Sequence, residues 1–249
     1  MNYQTEMKLK RIKNMPLMVW GLLAIQIIVF LSMTLAGMSR GLGFNGSLNG
    51  EILVAHGAML KGFVTHAHEY WRFITPIFVH IGFMHLIVNS LTLYFIGTQL
   101  EAMLGHWRFL AVYLLTGVAG NVLSFAFGNA NSISAGASTS LFGLFGIFVA
   151  LGRVYPHHPM IQFMSQRMLT LIVLNLVMNL FSSGIDILGH VGGALGGFLL
   201  GFVISIPALK DTHYESSAHD VHRRIRFGLI FVFFIVFCLL YGFRDVLGF

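Results

Sequence analysis

A hydroxyl and an imidazole stand at the openings of two separate apolar segments of this chain. Ser138 lies in Ser134-Ala135-Gly136-Ala137-Ser138-Thr139-Ser140-Leu141-Phe142-Gly143, where small polar residues give way to an apolar, glycine-spaced run. His190 opens a second such run, His190-Val191-Gly192-Gly193-Ala194-Leu195-Gly196-Gly197. A serine hydroxyl is a weak nucleophile until a neighbouring base takes its proton, and histidine can be that base. Two helices that begin at the same depth would bring the pair together inside a bilayer. Three more polar side chains gather upstream, His80, His85 and Asn89. The last two are four residues apart and so share a helix face.

The elements that must position these residues are membrane helices. Hydrophobic residues make up 56% of the 249-residue chain and charged residues only 10%, far from the balance of soluble domains. The expected fold is all-α, a polytopic bundle of about seven spans of roughly 20 residues each. Candidate spans are Pro16–Ala36, Ile77–Leu100, Trp107–Phe127, Ser138–Tyr155, Met168–Phe181, Leu188–Leu209 and Phe227–Phe243. The fourth and fifth are short, which suits segments shielded by neighbours or lining a wet cavity. The first apolar run is too long for a cleaved leader and is expected to remain as a span. Met38 to Trp71, rich in glycine, asparagine and apolar residues, reads as an irregular element lying in the outer interface. Cys238 is the sole cysteine, which rules out disulfides within the chain and a cysteine-based metal centre.

The net charge of +6 is concentrated in tails and loops, so it speaks of topology rather than nucleic-acid binding. With a cytoplasmic N-terminus, the inner side holds Lys8, Lys10, Arg11, Lys13, Arg108, Arg153, Arg167, Lys210, Arg223, Arg224 and Arg226. The outer side then keeps only Arg40, Lys61, Arg72 and Arg244, and the C-terminus is extracellular. The division becomes a cytoplasmic tail (1–15), a six-helix core (16–209), a polar inner linker (210–226) bearing His213, His219 and His222, and an added helix with a short tail (227–249).

In this orientation the second, fourth and sixth spans share the outer half of the membrane at their N-terminal ends. Their small residues say which of them touch. Gly193, Gly197 and Gly201 recur every four residues on the face of His190, while Gly143, Gly146 and Ala150 follow Ser138 at helical spacing. Such faces let membrane helices approach closely and pack by van der Waals contact. Taken singly, each residue also has a plainer role. Ser138 can bond its own backbone, His85 and Asn89 can form an interhelical pair, and Asp186 can simply start a helix. An intramembrane histidine, however, defaults to function.

Five motifs in order now resemble the rhomboid family of intramembrane serine proteases, over about Trp71 to Gly201. They are Trp71-Arg72, the stretch His80 to Asn89, Glu101 with Gly105, Gly136-Ala137-Ser138, and Asp186 to Gly193. The seventh span is similar to the six-plus-one bacterial form. The resemblance implies Ser138 as nucleophile and His190 as its general base, with His85, Asn89 and the Ser138 N–H as the oxyanion hole. It implies a supporting role for His80, and it makes Phe142 the aromatic ring that packs on the histidine. No cofactor and no metal are implied; the expected partners are transmembrane protein substrates and the lipid bilayer. The chemistry of the residues agrees, since charge on an attacked carbonyl needs donors placed in advance. No carboxylate lies within a span to orient His190, so a Ser–His dyad is expected rather than a triad. One position departs from the family: Thr139 stands where glycine usually follows the serine. Helical or bridge dihedrals are therefore expected at Thr139, with its hydroxyl bonded to nearby backbone. Two other classes are a non-catalytic binder of membrane clients and an intramembrane metal-dependent protein. The second lacks a His-Glu-x-x-His helix.

Overall fold

The computed structural model describes residues 15–181, 184–209 and 221–248. The basic tail with Lys8, Lys10, Arg11 and Lys13, and the linker residues Lys210, His213 and His219, lie outside the described residues. The chain is a polytopic membrane helix bundle. Its principal helices are α1 (Leu17–Ser39), α2 (Phe83–Leu104), α3 (His106–Phe127), α4 (Ser138–Val154), α5 (Pro159–Leu180), α6 (Ile187–Gly201) and α7 (Val221–Gly242). Five of them, α1, α2, α3, α5 and α7, are long and apolar enough to cross a membrane. The remaining two, α4 and α6, have 17 and 15 residues.

The short helices form the centre. Almost every residue of α4 from Thr139 to Val154 is buried, against α3, α5 and α6. A methyl group placed at Gly197 would fall on the Gly143 carbonyl oxygen, and one at Gly193 on that of Thr139. From the other side, Gly146 meets the Ala194 carbonyl, and Gly201 packs on Ala150. The two small-residue faces read from the sequence therefore meet each other, backbone against backbone. An outer ring is looser. Over its second half, α5 buries only Asn179, and α7 rests on the bundle through Phe231, Cys238 and Gly242.

Three boundaries differ from the sequence reading. The second span was expected from Ile77, but α2 begins at Phe83, after a 3-10 turn at Thr75–Phe78 and Gly82 at φ 81°. Pro76 and this left-handed glycine break the helix, so His80 precedes α2 instead of riding on it. Within α2, a π turn at Leu93–Gly97 shifts the register. The fifth span was expected to be short and to start at Met168, yet α5 runs 22 residues from Pro159. Gln162, Gln166 and Arg167 lower the hydropathy there without stopping the helix. Pro159 occupies the first turn, where its missing N–H costs nothing, and Arg167 lies 4.2 Å over the Phe163 ring. The sixth span was drawn to Leu209, but α6 ends at Gly201 and a separate turn covers Pro207–Leu209.

The segment between α1 and α2 folds into short helical pieces, among them Gly43–Leu48, Gly50–Ala55 and Lys61–Thr65. A buried guanidinium organises it. Arg72 donates to the carbonyls of Val54 at 2.8 Å and Ala58 at 2.6 Å, and pairs with Glu69. Glu101, likewise buried, accepts from the Met18 and Val19 N–H groups at 2.9 Å each, so the end of α2 caps the start of α1.

Candidate active site

Ser138 is the first residue of α4, and the loop ahead of it decides where its hydroxyl points. Three hydrogen bonds hold that loop. Met59 and Ser134 exchange backbone bonds of 2.8 and 3.0 Å, and the Gly136 N–H donates to the Pro76 carbonyl at 2.9 Å. Gly136 has φ 137°, and a Cβ there would stand 2.6 Å from Cε1 of His85. Only glycine satisfies both the dihedral and the space. As a first-turn residue, Ser138 has a backbone N–H with no carbonyl partner inside its own helix.

His190 enters from the first turn of α6. Asp186 caps that helix, its Oδ1 accepting from the Gly189 N–H at 2.8 Å, while its Oδ2 accepts from the Ser134 hydroxyl at 2.6 Å. One carboxylate thus ties the start of α6 to the nucleophile loop. The outcome is a Ser138 Oγ to His190 Nε2 distance of 2.9 Å. Phe142, one turn below Ser138, lies parallel to the imidazole with ring centres 4.3 Å apart and an angle of 7° between planes. On the far edge of the imidazole, Nδ1 faces the side-chain amide of Asn179 from α5 at 2.8 Å.

The α2 residues complete the surround. His85 accepts the Ile81 N–H on Nδ1 at 3.4 Å, which leaves the proton on Nε2, the ring edge nearest Gly136 and Ser138. Asn89 donates one amide hydrogen to the His85 carbonyl at 2.9 Å and keeps the other. His80 sits edge-on to His85, ring centres 5.3 Å apart, and accepts the Ala137 N–H at 3.4 Å. These side chains border a cavity of about 680 Å³ that also touches Ser138, Phe142, Asn179 and His190. A hydroxyl bonded to an imidazole, beside donors around an open volume, can carry out acyl transfer.

All six residues singled out in the sequence, His80, His85, Asn89, Ser138, Phe142 and His190, come together here. Asn179 escaped that reading. Its one signal is a weak one, a second asparagine at helical spacing from Asn175 in an otherwise apolar helix. Thr139 is helical, as expected, but its hydroxyl is not bonded to backbone: Oγ1 is buried without a hydrogen-bond partner. Its methyl fills a niche between Gly120 of α3 and Gly189 of α6, and that packing fixes the rotamer.

Comparison with known proteins agrees with this arrangement. Residues 67–207 match the family model described as the rhomboid domain. The chain is 36% identical over 194 residues to the rhomboid protease GluP of Bacillus subtilis strain 168, covering 77% of this chain and 36% of GluP. With the rhomboid protein YdcA of the same strain, identity is 32% over 202 residues, covering 81% of this chain and 92% of YdcA. RHOMBOID-like protein 1 of Arabidopsis thaliana is 39% identical over 153 residues, covering 60% of this chain and 38% of that protein. The match therefore spans little more than a third of GluP and nearly all of YdcA. On these matches and this fold, the chain belongs to the rhomboid family.

Proposed function

We propose that this protein is an intramembrane serine endopeptidase that hydrolyses peptide bonds in or near transmembrane segments of other membrane proteins. The observation that carries the reading is the 2.9 Å contact between Ser138 Oγ and His190 Nε2, beneath a ring stack with Phe142. His190 takes the serine proton as Oγ attacks the substrate carbonyl. Negative charge then develops on the carbonyl oxygen, where the Ser138 N–H, the His85 Nε2–H and the free amide hydrogen of Asn89 act as donors. The proton on His190 passes to the leaving amine, and a water entering the polar side of the cavity hydrolyses the acyl-enzyme. His80 acts at one remove, accepting the Ala137 N–H and so fixing the turn before the nucleophile.

In the same proposal, residues 16–209 are the catalytic core and α7 is an addition packed on α3. The N-terminus is cytoplasmic and the C-terminus extracellular, following the basic-residue bias. Reporter fusions test the orientation: one after Phe249 is expected outside, one within 210–226 inside. The reversed pattern overturns it. The activity is tested with purified protein in liposomes and a transmembrane reporter substrate. Cleavage that Ser138→Ala abolishes supports the protease, and binding of the reporter without cleavage points to a client-binding protein instead.

A further inference from the structure

We propose that Asn179 is a positioning residue for His190: its side-chain carbonyl oxygen accepts the Nδ1 proton and holds the imidazole in the tautomer that can act as a base. The inference rests on the serine-protease reading and adds to it the group that orients the histidine.

A neutral imidazole carries one proton. To receive the serine proton, Nε2 must present its lone pair, so Nδ1 must be protonated and needs an acceptor in this buried place. Asp186 is the carboxylate nearest in sequence, yet both of its oxygens are engaged, with the Gly189 N–H and the Ser134 hydroxyl. Phe142 covers a ring face and has no acceptor. Asn179 stands 2.8 Å from Nδ1. Its amide has two orientations of nearly equal shape, related by a half-turn about the bond to the amide carbon. With the amide nitrogen toward Nδ1, the proton sits on Nε2 and the histidine donates to Ser138, which idles the pair. With the oxygen toward Nδ1, Nε2 is free to accept, and the pair is competent.

The placement of Asn179 on α5 argues against an incidental contact. Asn175, one turn earlier, bonds the Leu171 carbonyl of its own helix at 2.8 Å, the usual resort of an amide among apolar residues. Asn179 reaches across to α6 instead, and it is the buried residue in a half-helix otherwise turned outward. The arrangement becomes Ser–His–Asn, with the third member supplied by a helix that carries neither of the other two.

The test compares Asn179→Leu and Asn179→Asp with the unaltered protein and with Ser138→Ala, in liposomes. It measures kcat and KM on a transmembrane reporter, the rate of labelling of Ser138 by a fluorophosphonate, and thermal unfolding. Asn179→Leu keeps the volume and loses the acceptor. It should lower kcat and the labelling rate by about 10- to 100-fold, the scale of a misaligned catalytic group, with KM held within about twofold. Asn179→Asp keeps an acceptor and should outperform the leucine variant. A packing role gives the reverse order, since leucine suits a buried apolar site and a carboxylate does not, and that order overturns the proposal. Should the aspartate variant fail to fold, nitrogen NMR of labelled histidine decides, with His190→Ala assigning the signal. The unaltered protein should show His190 protonated on Nδ1 and Asn179→Leu should show loss of that tautomer; protonation on Nε2 in the unaltered protein overturns the idea. If the unaltered protein neither cleaves nor labels at Ser138, the protease reading fails and this inference with it. If it labels and Asn179→Leu labels equally fast, the Asn179 assignment alone fails.

Discussion

Two sides of one cavity are built in opposite ways. On the side of α4 and α6, glycines press backbone against backbone, and the Ser138–His190 pair sits where the two helices begin. On the side of α2 and α5, long side chains such as Leu91, Phe95 and Leu171 border the same cavity, and much of their surface is exposed. A side chain there can change rotamer without disturbing a backbone, whereas nothing at Gly197 can move unless a helix moves. The geometry that must hold within a fraction of an ångström lies on the side with no freedom. The side that has room faces whatever enters.

The sharpest way to break this comparison is to remove the proposed chemistry from the tight side. Ser138→Ala and His190→Ala should each cut cleavage of a transmembrane reporter by about 10⁴- to 10⁶-fold, and the double variant should be barely worse, because the two act as a unit. A substantial residual rate in folded Ser138→Ala removes the nucleophile assignment. On the roomier side, Asn89→Ala should lower kcat by about 10²- to 10³-fold with little change in KM, as loss of a single oxyanion donor does. Equal rates for Asn89→Ala and His85→Ala and the unaltered protein would reduce both to packing.

The contrast in rigidity has its own test. Gly197→Ala puts a methyl on the Gly143 carbonyl and should destabilise the bundle by about 1–3 kcal/mol in detergent unfolding. Leu174→Ala, on the exposed face of α5, should stay within about 0.5 kcal/mol. Equal losses would mean the two sides are equally tight. The smallest effects belong to Thr139. Thr139→Gly should keep most activity and lose a little stability through added chain entropy and an emptied niche. Thr139→Val removes a buried hydroxyl that has no partner and should match or exceed the stability of the unaltered protein, by up to about 1 kcal/mol. A less stable, less active valine variant would show that the hydroxyl is used.

What the sequence made legible follows the range of the interactions involved. Ser138, His190 and the glycine faces were readable because helical periodicity is local and small residues at a spacing of four have one geometric meaning. His85 and Asn89 were readable for the same reason. The start of α2 was not, because it depends on the left-handed backbone of Gly82, which an apolar run conceals. Arg167 hid the first half of α5, since hydropathy cannot distinguish a charge that stacks on Phe163 from one that ends a helix. Asn179 was hidden for a deeper reason. An asparagine that bonds its own helix and one that reaches to the next are identical in sequence, and only the packing of α5 on α6 separates them.

The capping of α1 by Glu101 carries a consequence for how the bundle is made. The N–H groups of Met18 and Val19 take their partner from a residue 83 and 82 positions later. A chain synthesised from its N-terminus therefore releases α1 with its first turn open, and only water or lipid headgroups can serve those donors until the end of α2 arrives. Arrival of that carboxylate draws the first helix against the second and third together. The clasp on α1 is thus an order of assembly written into the chain: the first helix out is completed by the close of the second.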